Sequence, residues 1–184
     1  LIIRSPGNRA GHVVEEPVEL FDIMATALEL TGVEARHTHF ARSLVPQLGG
    51  APEDPGRAAF AEGGYAPHEP HCFEGRWAEY DIPRSPEHIY WPKGLQQQEH
   101  PASVCRSAMI RTREWKLVRR TADVCELYDL GADPQELCNI YGDARYGAVR
   151  AELESRLLDW YLRTADVVPL DENPRGLPPA GTGG

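Results

Sequence analysis

Cys125-Glu126-Leu127-Tyr128-Asp129-Leu130-Gly131-Ala132-Asp133-Pro134-Gln135-Glu136 packs a strand, a turn and a helix start into one string, and the rest of the chain can be ordered around it. Side chains alternate along an extended strand, so Cys125, Leu127 and Asp129 point one way and Glu126, Tyr128 and Leu130 the other. Apolar residues on both faces predict a short, largely covered strand. Gly131-Ala132 breaks it. Asp133 is then placed to N-cap a helical turn, with Pro134 at the first helical position, where its missing N–H costs nothing, and Glu136 spaced to close a capping box.

Working outward, residues 107–111 and 115–119 read as two strands joined by Thr112-Arg113-Glu114, a short-loop hairpin against which the strand at 125–130 pairs next. Downstream, Asp143 is a cap. Tyr146, Val149, Leu153, Leu157 and Trp160 then recur at helical spacing, which predicts one long amphipathic helix with Trp160 as the anchor of its buried stripe. The sheet it would cover is that of Met109, Trp115, Leu117 and Leu127.

The start of the chain reads differently. Leu1-Ile2-Ile3 is a continuous apolar run ended by Ser5-Pro6-Gly7, which predicts a buried strand of a sheet whose other strands this sequence does not contain. Val18-Glu19-Leu20 is a second strand candidate. Asp22 suits an N-cap, Ile23, Ala27 and Leu30 with Met24 and Leu28 form an apolar face, and Gly32 suits the left-handed stop. A shorter helix follows between Ser43 and Gly49-Gly50. Ala58 to Glu62 would be the first strand of a second part, and from 65 to 106 Pro, His and aromatic residues show no sustained period. Such an irregular stretch in a compact domain is usually functional or disordered, and its aromatic content argues against disorder. The expected organisation is 1–50, 51–166 with the irregular loop 65–106, and a mobile Pro- and Gly-rich tail at 167–184.

With 184 residues and a formal net charge of −9, the chain carries no clustered basic footprint for nucleic acid or an anionic membrane surface. No apolar run approaches the roughly 20 residues of a spanning helix. The four cysteines, Cys72, Cys105, Cys125 and Cys138, lie far apart without a Cys-x-x-Cys pair and read as free thiols.

The string from Glu126 to Glu136, completed by Asn139, resembles the Glu-Leu-Tyr-Asp-Leu…Asp-Pro-x-Glu…Asn signature near the C-terminus of sulfatases of the alkaline phosphatase superfamily. Leu1-Ile2-Ile3-Arg4-Ser5-Pro6-Gly7, Val18 to Leu30, and Ser43-Leu44-Val45-Pro46-Gln47-Leu48-Gly49-Gly50 fall in the order these proteins show, with Ala41 in place of their usual glycine. The resemblance implies an α/β fold: a remnant of the large sulfatase α/β domain, followed by a small antiparallel sheet packed on one long C-terminal helix. It implies a parent enzyme hydrolysing sulfate esters, or phosphonate monoesters or phosphodiesters as relatives do. That parent would use a formylglycine, made from a Cys/Ser-x-Pro-x-Arg signature, and a divalent metal, calcium or similar. The partner implied is the missing N-terminal catalytic region of the same protein, and the substrate a small anionic ester.

None of that apparatus is found in this sequence. Cys72-Phe73-Glu74-Gly75-Arg76 has Cys and Arg at the right spacing but Glu where Pro belongs, so no catalytic residue and no metal ligand is assigned, and the chain by itself is expected to be inactive. His68-Glu69-Pro70-His71-Cys72 gathers two imidazoles, a carboxylate and a thiol, which could meet a metal, line a substrate pocket or simply form a surface loop. Lys93 could meet an anionic substrate or be an ordinary surface lysine. His68, His71 and Lys93 are therefore the candidate substrate-binding residues. The competing class is a non-catalytic binding or scaffold module.

Overall fold

The computed structural model describes residues 1–7, 11–66, 86–89 and 91–167. Its elements are α1 (Asp22–Thr31), α2 (Val45–Leu48), β1 (Ala59–Gly63), α3 (Trp91–Glu99), β2 (Ser107–Arg111), β3 (Trp115–Arg120), β4 (Glu126–Asp129) and α4 (Gly147–Thr164), with 3-10 turns at Pro101–Val104 and Ala144–Tyr146. No helix among the described residues is long and apolar enough to cross a membrane. The chain divides into two compact units, one of residues Leu1–Ala59 with the end of α4 from Leu158, the other of Phe60–Leu157.

The second unit is built on an antiparallel sheet of order β1-β2-β3-β4. The hairpin forms as its sequence predicts. Thr112 organises its loop, accepting the N–H of Trp115 on Oγ1 at 2.9 Å while its own N–H donates to the Trp115 carbonyl at 2.8 Å. Register pairs Ile110 with Leu117 and Leu117 with Leu127, and all three side chains are fully buried on one face of the sheet. The same face carries Trp115, whose ring meets Tyr146 edge-on at 5.9 Å, and Arg119, which pairs with Glu154 of α4 at 3.3 Å. Leu153 and Leu157 of α4 are buried with them. Met109 pairs with Val118 and so lies on the opposite face, not on the helix side.

Trp160 is not the buried anchor that periodicity suggests; it is only half-buried, its ring against Tyr161 at 4.8 Å.

Glycine matters most at Gly64, just after β1. There φ is +78° and a Cβ would lie 2.2 Å from the Cys105 carbonyl oxygen, while the next residue, Tyr65, donates its N–H to Val104 at 3.0 Å. Within the stretch expected to be irregular, Trp91–Glu99 is helical. Pro92 falls in the first turn, where it is tolerated, and the run of Gln and Glu residues favours helix. The expected tail lies outside the described residues from 168 on.

In the first unit the two strand expectations fail. Residues 1–3 and 18–20 form no strand, and Ile2 is 98% exposed. A strand needs a ladder partner, and the described residues supply none for them. Helix α1 does form, stopped by Gly32 at φ +68°, but Phe21 occupies the N-cap and Asp22 lies in the first turn. Its buried residues are Asp22, Ala25 and Thr26 rather than the apolar face.

That burial is ionic. Asp22 accepts the backbone N–H groups of Glu19 at 2.9 Å and Arg42 at 2.8 Å and is paired with Arg57; Glu16 faces Arg57 at 3.5 Å. Glu16 also accepts Gln47 Nε2 at 2.7 Å and the N–H of Asp54 at 2.6 Å. Thr26 donates to the Asp22 carbonyl and accepts the N–H of Leu44, which fastens α2 to α1. Charges this deeply buried persist only when paired and hydrogen-bonded, a condition that Asp22, with its three partners, meets.

Candidate functional site

The string from Cys125 to Asn139 is dense in polar groups, and Asp129, Asp133, Glu136 and Asn139 each have a structural task. Asp129 Oδ1 accepts the N–H groups of Gly131 and Ala132 at 3.0 and 3.1 Å, turning the chain as β4 ends. Asp133 does not cap a helix: residues 131–140 form turns, and its carboxylate instead accepts the Cys138 N–H at 2.8 Å. Glu136 adopts φ +58°, outside any capping box. From there its carboxylate reaches Lys116 on β3 and Arg111 on β2, the latter at 3.5 Å. A capping box would have spent the Glu136 carboxylate on a backbone N–H, whereas here it bridges two cations across the sheet.

Asn139 completes the string. Its Oδ1 accepts the N–H of Leu127 at 3.1 Å and its Nδ2 donates to the Cys125 carbonyl at 3.0 Å, while the Ile140 N–H donates to Leu127 at 3.0 Å. The outer edge of β4 is thus paired as an additional strand would pair it, which removes an open edge.

On the sheet face away from α4, Arg120 pairs with Glu126 at 2.8 Å, and Tyr128 donates its hydroxyl to the same carboxylate at 3.0 Å. Burial, reinforced by that hydrogen bond and by the Glu126 charge, pushes the Tyr128 hydroxyl up to about 12. On the helix side, Tyr141 donates to Glu154 at 2.9 Å and accepts from Arg119, while the Arg150 guanidinium lies 4.9 Å from its ring. Burial and then the Glu154 contact raise the Tyr141 hydroxyl. Cys105 is buried, which raises its thiol, but hydrogen bonds from Ala122 and Thr121 and the charge of Arg120 outweigh this and leave it below the ordinary value. Cys105, Cys125 and Cys138 are free thiols.

Lys93, one of the candidate residues, lies exposed in the first turn of α3. His68 and His71 lie outside the described residues, so nothing joins the three into one site. A divalent metal does not fit the described residues either. Among them no group of three or more His, Cys, Asp or Glu side chains could hold an ion, and the buried carboxylates Glu16 and Asp22 are committed to Arg57. The ionic core around Asp22 went unread in the sequence, because two charges 35 residues apart leave no local spacing to detect.

The arrangement therefore holds a sheet, a helix and their ion pairs in place. The family described as N-sulphoglucosamine sulphohydrolase, C-terminal, matches residues 95–162, which contain the whole string. The multifunctional alkaline phosphatase superfamily protein PehA of Trinickia caryophylli is 31% identical over 182 residues, 96% of this chain and 31% of that protein. The N-acetylglucosamine-6-O-sulfatase of Bacteroides thetaiotaomicron is 44% identical over 59 residues, 30% of this chain and 11% of that protein. The solved phosphonate monoester hydrolase of Silicibacter pomeroyi superposes with a TM-score of 0.63 at 30% identity, covering 89% of this chain and 28% of its own. The chain is thus similar to the C-terminal portion of sulfatases of the alkaline phosphatase superfamily. It spans about a third of the length of PehA.

Proposed function

We propose that this chain is the scaffold portion of a hydrolase of small anionic esters, sulfate esters in the first reading. The nucleophile, a formylglycine, and the divalent metal would belong to an α/β region of the kind the relatives carry outside the matched segment. That region would be the chain's partner. The observation that carries the proposal is the likeness to PehA over 96% of this chain, joined to a string whose carboxylates are occupied by structural partners. Phosphonate monoesters are the second reading, because the solved phosphonate monoester hydrolase of Silicibacter pomeroyi covers 89% of this chain at 30% identity. Lys93, His68 and His71 would line the pocket for the anionic group.

Sequencing the gene upstream of Leu1 tests the reading. A Cys/Ser-x-Pro-x-Arg signature with paired Asp residues is expected; an upstream frame lacking both would favour a non-catalytic module. Assay of that gene product on an aryl sulfate against an aryl phosphonate monoester then separates the two substrates, and Lys93→Ala should raise KM for whichever is preferred.

A further inference from the structure

Gln47 and Arg57 meet at one oxygen of Glu16, and each leaves a buried polar atom over. Gln47 Nε2 donates to Glu16 Oε1 at 2.7 Å, and Arg57 Nη1 lies 3.5 Å from the same oxygen without a hydrogen bond to it. Glu16 Oε2 accepts the Asp54 N–H at 2.6 Å, and Arg57 Nη2 is committed to Asp22. What remains is one acceptor and one donor. Gln47 Oε1 and Arg57 Nη1 are both shut off from solvent and have no hydrogen-bond partner among the described residues. The Arg57 and Glu16 side chains are only 1% and 3% exposed, so bulk solvent does not serve them. Turning the Gln47 amide over gives no relief, because its oxygen would then face Glu16 Oε1, acceptor against acceptor.

We propose that an internal water binds here, accepting from Arg57 Nη1 and donating to Gln47 Oε1. Both groups stand around Glu16 Oε1, so a single molecule beside that oxygen is placed to serve both. Chemistry selects the ligand. The occupant has to accept on one side and donate on the other. A halide accepts but cannot donate, and it would sit against the Glu16 carboxylate; a metal cation cannot accept from a guanidinium and would be repelled by it. Water does both, and buried waters characteristically serve polar groups that the protein leaves unmet. The bound water would tie α2, which carries Gln47, to the Arg57 that precedes β1. The inference is independent of the hydrolytic reading above.

The test is a crystal structure of the full 184-residue chain at a resolution that shows ordered water, paired with magnetic relaxation dispersion of the water oxygen in solution. Both are measured on the chain as it is and on Gln47→Met. Expected is a density peak within hydrogen-bond distance of both Arg57 Nη1 and Gln47 Oε1, and a long-lived water in solution, with the peak and that water lost in Gln47→Met while circular dichroism is unchanged. Absence of the peak overturns the proposal. So does a direct hydrogen bond between Arg57 and Gln47 in its place, or an anomalous signal that marks the peak as a halide. A peak and a dispersion that persist unchanged in Gln47→Met also overturn it, since the amide would then be no partner. Should that variant fail to fold, the peak in the unaltered chain decides alone.

Discussion

Asn139 is hydrogen-bonded to Leu127 as a neighbouring strand would be, its Oδ1 accepting the buried Leu127 N–H at 3.1 Å. That side chain, with the Ile140 N–H, pairs the edge of a sheet whose outermost strand, β4, is only four residues long. Asn139→Ala should cost about 1–2 kcal/mol, the penalty for leaving backbone groups beside a buried strand unpaired and open to partial rescue by water. Asn139→Asp keeps the acceptor and loses only the donation to Cys125, so it should cost less. Urea melts of the two variants check the order.

Arg57 serves two buried carboxylates, Glu16 and Asp22. Arg57→Met should destabilise the chain by about 3–5 kcal/mol, because both anions lose the guanidinium that faces them while staying out of water. Adding Asp22→Asn should cost much less than it does alone, as the charge it removes is then already unpaired. A double-mutant cycle measured by denaturant unfolding gives the coupling, and additivity would show that the pair does not interact.

Burial on α4 ranks Leu157 above Trp160. Leu157→Ala should cost about 2–5 kcal/mol, the usual range for a fully enclosed leucine. Trp160→Ala should cost less, despite removing a larger side chain. Parallel melts decide it, and a larger loss at Trp160 would mean that the last turns of the helix are covered.

Tyr128 gives a pH prediction with a definite sign. Its folded value, about 12, lies above the value of about 10 for a free tyrosine, so the stability it contributes is complete below pH 10 and is lost as pH rises from there through 12. Wild type and Tyr128→Phe should therefore differ most below pH 10 and converge above it. Ultraviolet titration checks the assignment, since Tyr128→Phe should delete a phenolate that forms near pH 12.

Much of the second unit was legible because its rules are local. The hairpin followed from alternation around Thr112-Arg113-Glu114, and α4 from the spacing of Tyr146, Val149, Leu153 and Leu157. What failed needed partners that spacing does not reveal. Asp133 and Glu136 carry the residues of a capping box, yet Lys116 and Arg111 compete for Glu136 across the sheet and win. On α1 the apolar stripe was read correctly as a face, but its burial was assumed. Asp22 is drawn inward by Arg57, a residue 35 positions away, and carries Ala25 and Thr26 with it. The candidate site was the least legible part: three residues were named by chemical type alone, and only Lys93 falls among the described residues.

The central claim is that the signature string builds structure and that the reacting groups lie elsewhere. Hydrolysis of an aryl sulfate and an aryl phosphonate monoester by the purified 184-residue chain, with and without added calcium or manganese, tests it most directly. The account predicts no turnover above buffer under any of these conditions. Metal-dependent turnover that survives repurification and is lost on His68→Ala or Lys93→Ala would contradict it.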